Sequence, residues 1–257
     1  MKNLYIALVL AFLFLPIFIL VLFSFNESSL NIIFTGFTFD WYKALWSNRE
    51  LLEAFRNSLF LAVFSTVVST VLGTLGAVGL RKFSFPGEKL IDKLLYIPIV
   101  IPEIVLGVSL LAVLSFFRLE LGFWSVFLAH VTFSTPFVLT SVRSSLFALP
   151  ASVEEAAEDL GASRLRTFFS VTLPLLKPGI LSGAILAFTL SLDDVVVSYF
   201  TAGPGTNTLP LYIYGIIKTG ITPDVNALTT LMLLITVFLL FFANSLRAKS
   251  LDRKRGF

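Results

Sequence analysis

The carboxylates that lie within apolar runs are the side chains of this sequence best suited to chemistry. Asp193 and Asp194 are adjacent in the run SLDDVVVS, and Glu103 lies in the run IPIVIPEIVLG. An Asp at the centre of a membrane helix costs ~2.5–3.5 kcal/mol on insertion scales. A row of acids would lower the barrier of an apolar pore for a cation and would repel an anion. We therefore expect at least one aspartate to line a path for a cationic solute; the alternative is that both lie at the outer interface and bond to loop backbone.

The elements that must hold these acids are membrane-spanning helices. Of the 257 residues, 56% are hydrophobic and only 14% are charged, and the mean hydropathy is +0.91. A soluble domain of this length needs more charge to cover its surface. Because a bilayer core requires ~20 apolar residues in a helix, we expect an all-α polytopic membrane protein with a single transmembrane domain over residues 1–257. Its six predicted spans lie at about 4–25, 57–80, 94–117, 123–143, 178–200 and 226–246.

The distribution of positive charge predicts the orientation of the spans. With the N-terminus inside the cell, most of the 19 Lys and Arg residues fall in the inside loops and the C-terminal tail. We expect a multi-pass membrane protein with both termini cytoplasmic, and a first span that is retained rather than cleaved as a signal peptide. We expect the basic tail to be an ordinary cytoplasmic flank, with contact to anionic membrane lipid or a partner as the alternative. The net charge of +3 therefore does not indicate a nucleic-acid partner.

The three acids are predicted to lie at different depths. At a helical rise of ~1.5 Å per residue, the two aspartates fall in the outer half of the membrane and Glu103 falls close to mid-depth. Pro98 and Pro102 flank Glu103 and could bend or open the third span. Since adjacent residues of a helix point ~100° apart, Asp193 and Asp194 need not face the same surroundings. Which of them lines the path stays open.

Two spans carry a small residue at every fourth position. The members of the two stripes are Ser65, Ser69, Gly73 and Ala77, and Gly179, Gly183, Ala187 and Ser191. Small residues let helix backbones approach closely in lipid. We expect both stripes to pack within the chain, with a subunit interface as the alternative.

Several kinds of chemistry are excluded by what the sequence lacks. There is no Cys and a single His, His130, which excludes thiolate sites and metal sites built from several imidazoles. No Gly-x-x-x-x-Gly-Lys-Ser/Thr phosphate loop occurs. We therefore expect no enzyme activity, metal or cofactor on this chain. His130 is expected to be a hydrogen-bonded packing residue within the fourth span.

The long inside loop at about 144–177 is predicted to fold into a cytoplasmic helix-turn-helix. Ser152 followed by Glu155 has the spacing of a capping box, which favours the start of a helix. Gly161 suits the end of that helix, and Ser163 can cap a second helix that runs to about residue 171. The residues expected to end this second helix before the fifth span are Pro174 and Pro178.

This loop resembles the EAA motif of importer permeases of the ATP-binding cassette (ABC) family. In the run EAAEDLGASRLRTFFSVTLP, the motif's residues are Glu155, Ala156, Ala157, Gly161, Val171, Leu173 and Pro174. The resemblance implies the type I ABC importer permease fold, in which the motif forms a coupling helix that docks on a separate ATPase subunit. Glu155, Ala156, Ala157 and Gly161 would then take part in ATPase coupling, with ATP and Mg held by that partner.

Further stretches resemble the C-type permease subunit of spermidine/putrescine importers, and the likeness covers essentially the whole chain. They are the N-terminal run YIALVLAFLFLPIFILVLFSFNES and the run SLDDVVVSYF with LPLYIYGIIKTG and TPDVNAL after it. The resemblance implies inward transport of polyamines by alternating access, past Glu103, Asp193 and Asp194. Aromatic faces such as Tyr199 or Trp124 would suit the ammonium groups through cation–π attraction. The resemblance also implies a location in the bacterial inner membrane.

The partners implied by the resemblance are a second permease subunit in a heterodimer, two cytoplasmic ATP-binding subunits and an extracytoplasmic polyamine-binding protein. Two alternatives stay open. One is a permease of the same fold for another solute, such as ferric iron, thiamine or an anion, although the acids argue against anions. The other is an ion-coupled secondary transporter, for which no internal repeat is visible and which leaves the EAA-like loop unexplained.

Overall fold

The computed structural model describes residues 2–28, 32–219 and 223–234, and most of them are helical. The helices are α1 Lys2–Phe23, α2 Asp40–Leu45, α3 Arg49–Lys82, α4 Glu88–Val100, α5 Glu103–Phe116, α6 Phe123–Phe147, α7 Ala151–Asp159, α8 Arg164–Thr167, α9 Leu173–Asp193, α10 Val196–Thr201, α11 Leu209–Thr219 and α12 at 223–234. A π-helical turn, Phe168–Thr172, joins α8 to α9. Within these ranges the β-type pairing is one isolated bridge, between Asn26 and Phe37. The predicted all-α class is confirmed.

Four helices of the described ranges are long and apolar enough to cross a membrane, and a bent pair adds a fifth crossing if it is counted as one span. The four are Leu4–Phe23, Arg49–Lys82, Phe123–Phe147 and the continuous helix Arg164–Asp193. The predicted sixth span at about 226–246 falls mostly outside the described residues, although its beginning, up to 234, is helical. The prediction of six spans is compatible with this arrangement.

The predicted third span, 94–117, is not a single helix. Helix α4 begins earlier, at Glu88, and meets α5 at an angle of 117°. Ile101 between the two helices is extended, with ψ at 137°. The cause is Pro102, which has no backbone N–H and disfavours helical conformation in the residue before it. Pro98 remains inside α4, so only one of the two prolines that were expected to bend the span breaks it.

The predicted fifth span, 178–200, is also divided. Helix α9 ends at Asp193, Asp194 is extended, and α10 begins at Val196. At the other end of this span the prediction that Pro174 and Pro178 would end the preceding helix is wrong, because helix continues from Arg164 to Asp193 and Pro178 lies inside it. The π-helical turn, which ends at Thr172 shortly before Pro174, widens the helix where the proline N–H is missing.

The inside loop forms the predicted helix-turn-helix with a different start. Helix α7 follows Pro150, and no side-chain cap is formed there, so the capping box predicted for Ser152 and Glu155 is wrong. Proline suits the entry to a helix because the first N–H groups have no intrahelical partner. Gly161 ends the helix with φ at +85°, as predicted. Ser163 caps the next helix, also as predicted.

The chain divides into two compact units, and α6 is central to the one formed by Glu53–Tyr212. Both small-residue stripes are buried in this unit. A Cβ atom added at Gly73 would lie 2.7 Å from Val138 Cβ, and one added at Gly183 would lie 3.0 Å from Val138 Cα. Ser65 Oγ of α3 donates to Ser191 Oγ of α9 over 3.0 Å. The stripes therefore pack helices of the same chain against one another.

The other unit consists of Met1–Leu52 and Ile213–Phe257. Here an aromatic cluster orders the segment that follows α1. The ring of Phe25 stacks on Phe37 at 5.5 Å and packs on Tyr42 of α2 at 5.2 Å. The buried side chain of Asn26 accepts a hydrogen bond from the backbone N–H of Thr35. These contacts hold α2 to the end of α1.

Candidate functional site

The three intramembrane acids line one cavity. Its volume is about 520 Å³, and Glu103, Asp193 and Asp194 all contribute to its wall. Both helix breaks border this cavity, one between α4 and α5 and the other between α9 and α10. The apolar part of the wall includes Pro98, Ile101, Pro102, Phe133 and Phe137. An apolar cavity with a few convergent polar groups is the usual form of a small-molecule site.

Glu103 and Asp193 are the exposed acids of the cavity. Glu103 lies in the first turn of α5, and Asp193 is the last residue of α9. Within the part of the chain that the structure describes, neither carboxylate forms an ion pair. The same part contains no cluster of His, Cys, Asp and Glu that could hold a metal ion. The cavity thus presents two carboxylates that have no basic partner among the described residues, which favours a cationic ligand.

Asp194 has a different environment from its neighbour. Only 6% of its side chain is exposed. Its carboxylate accepts hydrogen bonds from the N–H of Val197 at 3.2 Å, the N–H of Ser198 at 2.7 Å and the Ser198 hydroxyl at 2.7 Å. Asp194 therefore caps α10 by accepting from N–H groups that have no carbonyl partner at the start of a helix. Of the two acids, Asp194 is held by hydrogen bonds from backbone N–H groups, whereas Asp193 is exposed in the wall of the cavity.

His130 completes the structure around this helix break. It is fully buried on α6, and its Nδ1 lies 2.7 Å from Ser191 Oγ, while Nε2 lies 2.9 Å from Ser198 Oγ. Nε2 is also 3.4 Å from a carboxylate oxygen of Asp194. His130 is thus a hydrogen-bonded packing residue, as predicted, and it joins α6 to α9 and α10.

Sequence reasoning did not identify the partners of Asp194. His130 lies on another span, and contacts between spans leave no periodic signal along the chain. The helix break had a local signal, because Asp is among the preferred capping residues and its position before a short apolar run is compatible with a new helix start.

The two predicted aromatic contacts lie elsewhere. Tyr199 on α10 is 57% exposed and Trp124 at the start of α6 is 71% exposed, and neither is part of the cavity wall. The ring of Tyr199 packs edge-on against Phe200 at 5.5 Å. In this structure the acids and these aromatic rings do not form a common site.

The predicted coupling residues lie on the surface of α7 and the turn after it. Glu155, Ala156 and Gly161 are exposed, and Ala157 is half-buried. Large apolar side chains of the same segment are exposed as well, namely Leu160 at 90%, Leu165 at 73% and Phe169 at 62%. Exposed apolar groups beside polar ones are typical of a protein interaction site. We call this set, Leu160, Leu165 and Phe169, the apolar cluster.

Glu154, next to Glu155, forms contacts within the chain. Its carboxylate lies 3.0 Å from Lys82 Nζ at the end of α3 and accepts a hydrogen bond from the hydroxyl of Thr172. Partial burial raises the pKa of Glu154, but the hydrogen bonds from Thr172 and Lys82 outweigh it and hold that pKa below its usual range. Sequence reasoning missed Glu154 because its partners are distant along the chain.

The cap formed by Asp194 leads to a testable difference between two substitutions. Asp194→Ala leaves the N–H groups of Val197 and Ser198 without acceptors, and each unsatisfied buried donor costs about 1–3 kcal/mol. Asp194→Asn keeps an oxygen that can accept, and Asn is itself a preferred capping residue. We expect a lower thermal unfolding temperature for the Ala variant in detergent and a much smaller change for the Asn variant. An unchanged unfolding temperature for Asp194→Ala would show that this carboxylate does not stabilise α10.

Comparison with known proteins gives a matching family and relatives that are similar over almost the whole chain. Residues 69–255 match the family described as binding-protein-dependent transport system inner membrane component. The chain is 42% identical over 246 residues to the spermidine/putrescine transport system permease protein PotC of Escherichia coli K12, covering 96% of this chain and 92% of that protein. It is 38% identical over 260 residues to the putrescine transport system permease protein PotI of the same strain, covering 95% and 92%.

The fold is similar to that of a solved bacterial ABC transporter involved in the import of the acidic polysaccharide alginate. The TM-score is 0.74, and the match covers 95% of this chain and 94% of that chain at 15% identity. At this identity the likeness shows the fold alone. It agrees with the importer permease fold that the EAA-like loop implies.

Proposed function

Because the chain belongs to the family of inner-membrane components of binding-protein-dependent transport systems, we propose that it is the permease subunit through which an ATP-driven ABC importer moves spermidine or putrescine into the cell. The observation that carries this proposal is the cavity between two broken helices, with Glu103 and Asp193 in its wall. Among the residues that the structure describes, neither carboxylate has an ion-pair partner. Relatives that cover almost the whole chain are named for polyamine transport, which supports the same substrate.

The chemistry of the cavity suits a polyamine better than an anion or ferric iron. A polyamine carries several ammonium groups on an apolar chain, so separate carboxylates and an apolar wall complement it. An anion would be repelled by the same carboxylates. Ferric iron requires several oxygen ligands gathered around one point, whereas Glu103 and Asp193 do not form such a cluster in the described residues. An ion-coupled secondary transporter is not supported by membership of a binding-protein-dependent family.

The two aspartates have different tasks in this proposal. Asp193 and Glu103 contact the ammonium groups of the solute. Asp194 positions Asp193 and the cavity wall by capping α10, and it adds negative charge close to the solute. Tyr199, exposed on α10, is proposed to contact the solute only at an outward-open stage.

Transport requires partners that this chain does not contain. We propose a second permease subunit in a heterodimer, two cytoplasmic ATP-binding subunits that hold ATP and Mg, and an extracytoplasmic polyamine-binding protein. Coupling would occur where Glu155, Ala156, Ala157 and Gly161 meet the ATPase, with the apolar cluster buried in the contact. The chain would act as a single transmembrane domain with both termini cytoplasmic, and ATP binding and hydrolysis would alternate the cavity between the two sides of the inner membrane.

Reconstitution of the assembled complex in proteoliposomes tests this function. We expect uptake of labelled spermidine or putrescine that requires the binding protein and ATP, is abolished by vanadate and is insensitive to ionophores. Uptake that follows a proton or sodium gradient without ATP would contradict the ATP-driven mechanism. ATP-driven uptake of ferric iron or thiamine, with no uptake of polyamines, would contradict the substrate.

A further inference from the structure

We propose that Glu154 is a positioning residue that transmits the movement of the coupling helix α7 to the transmembrane helices α3 and α9. The inference rests on the proposed function, since it concerns how ATP hydrolysis on a partner subunit reaches the cavity. It assigns to Glu154 a task distinct from that of its neighbour Glu155. The geometry that carries it lies entirely within the unit Glu53–Tyr212.

Glu154 bonds to two helices at once. The ammonium group of Lys82 at the end of α3 lies 3.0 Å from its carboxylate, and the hydroxyl of Thr172 at the base of α9 donates to the same oxygen. Thr172 is fully buried, and the side chain of Glu154 is only 17% exposed. Hydrogen bonds to an ionised group are about twice as strong as neutral ones, and partial burial protects them from screening by salt. The contact is therefore built to hold α7 against both helices.

The end of α3 holds the segment before α7 as well. The guanidinium of Arg81 donates to the carbonyl of Leu146 and, over 3.2 Å, to the carbonyl of Leu149. These carbonyls lie at the end of α6 and in the connection to α7. Arg81 and Lys82 thus attach both the connection and the coupling helix to α3. A displacement of α7 must either carry the end of α3 with it or break these bonds.

Helix α9 extends from the other contact of Glu154 to the cavity. Thr172 directly precedes α9, whose 21 residues span about 30 Å at the rise of an α-helix. The far end of this helix is Asp193, in the wall of the cavity. Because α9 packs along α6 through Gly179 and Gly183 without room for side chains, the proposed transmission requires α9 to shift along α6 as one body. A push at Thr172 therefore reaches the acid that we propose to contact the solute.

Glu154 and Glu155 should differ in the step that they affect. Glu155 is exposed on α7 and is available to a partner, so its loss should weaken attachment of the ATPase. Glu154 is engaged within the chain, so its loss should leave attachment and hydrolysis intact and should reduce the transport obtained from each ATP.

The ratio of solute taken up to ATP hydrolysed tests this inference in the reconstituted complex. We expect Glu154→Lys and Lys82→Glu each to lower this ratio about tenfold, within the usual range of allosteric coupling, while the ATPase subunits still co-purify. The double variant Glu154→Lys/Lys82→Glu restores the opposite charges and should recover the ratio. Thr172→Val removes the other bond and should lower the ratio without changing any charge. Glu158→Gln, an exposed acid of the same helix, should leave it unchanged.

The outcomes separate this inference from the function on which it rests. If the wild-type complex shows no ATP-driven polyamine uptake, the proposed function fails. If the wild type transports, and Glu154→Lys and Thr172→Val both keep the wild-type ratio of solute taken up to ATP hydrolysed, the inference alone is overturned. An equal fall of this ratio in Glu158→Gln would also overturn the inference, because the loss of any negative charge on α7 would then produce the effect.

Discussion

Asp193→Asn is expected to lower the rate of spermidine uptake by the reconstituted complex while leaving the thermal stability of the complex unchanged. A carboxylate about 4 Å from an ammonium group interacts by about 4 kcal/mol at an effective dielectric constant of roughly 20. Since about 1.4 kcal/mol corresponds to a factor of ten, we expect a loss of at least about tenfold. Folding should not suffer, because Asp193 is exposed and forms no ion pair in the part of the chain that the structure describes.

The matched control for this substitution is the neighbouring residue. Asp194→Asn removes the same charge one position away but keeps the acceptor for α10, so we expect it to reduce uptake less than Asp193→Asn. Glu103→Gln should act in the same direction as Asp193→Asn, because both carboxylates line one cavity. Wild-type uptake in the double variant Asp193→Asn/Glu103→Gln would show that the solute does not pass these acids.

Leu160→Asp is expected to release the ATPase subunits from the purified complex. Leu160 is 90% exposed in the segment that we predict to be cytoplasmic, and burial of a Leu side chain in a contact contributes about 1.5–3 kcal/mol. The substitution loses this contribution and places a charge where apolar surface would be buried, so we expect the amount of co-purified ATPase to fall at least about tenfold. The stoichiometry of subunits after size-exclusion chromatography in detergent measures the effect.

Phe83→Asp controls for the general effect of a new charge on the same side of the membrane. Phe83 lies between α3 and α4 and is 63% exposed, but it is not part of α7 or the apolar cluster. The ATPase should remain attached in this variant. Release by Phe83→Asp to the same extent, or retention by Leu160→Asp, would contradict docking through the apolar cluster.

The membrane-spanning architecture was predictable because its signals are local. Apolar length alone located α1, α3 and α6 to within a few residues at most ends, although α3 begins well before its predicted start. The helix-turn-helix was predictable for the same reason, since Gly161 and Ser163 act within one turn of their own positions. The start of α7 was not predicted correctly. The spacing of Ser152 and Glu155 favoured a start capped by Ser152, whereas the helix begins directly after Pro150.

The geometry of the candidate site was harder to predict from the sequence, because it depends on contacts between spans. The sequence identified Glu103, Asp193 and Asp194 as costly residues, and the structure brings all three to one cavity. It could not separate the two aspartates, since that distinction comes from a helix break and from His130 on another span. Spacing predicted that the two stripes that contain Gly73 and Gly183 pack within the chain. It did not identify their common partner, Val138 of α6.

Asp194 has structural contacts that Asp193 lacks, and this difference affects how solute preference can evolve in this fold. Replacement of Asp194 by a residue without an acceptor oxygen disturbs the contacts with His130 and Ser198 together, so such substitutions require compensating changes on two helices. Asp193 and Glu103 form no such contacts in the described chain, and each can be substituted without a compensating change elsewhere. Variation among descendants of this permease should therefore concentrate at residues 103 and 193, and directed evolution toward a new solute can begin at these two positions without first stabilising the protein.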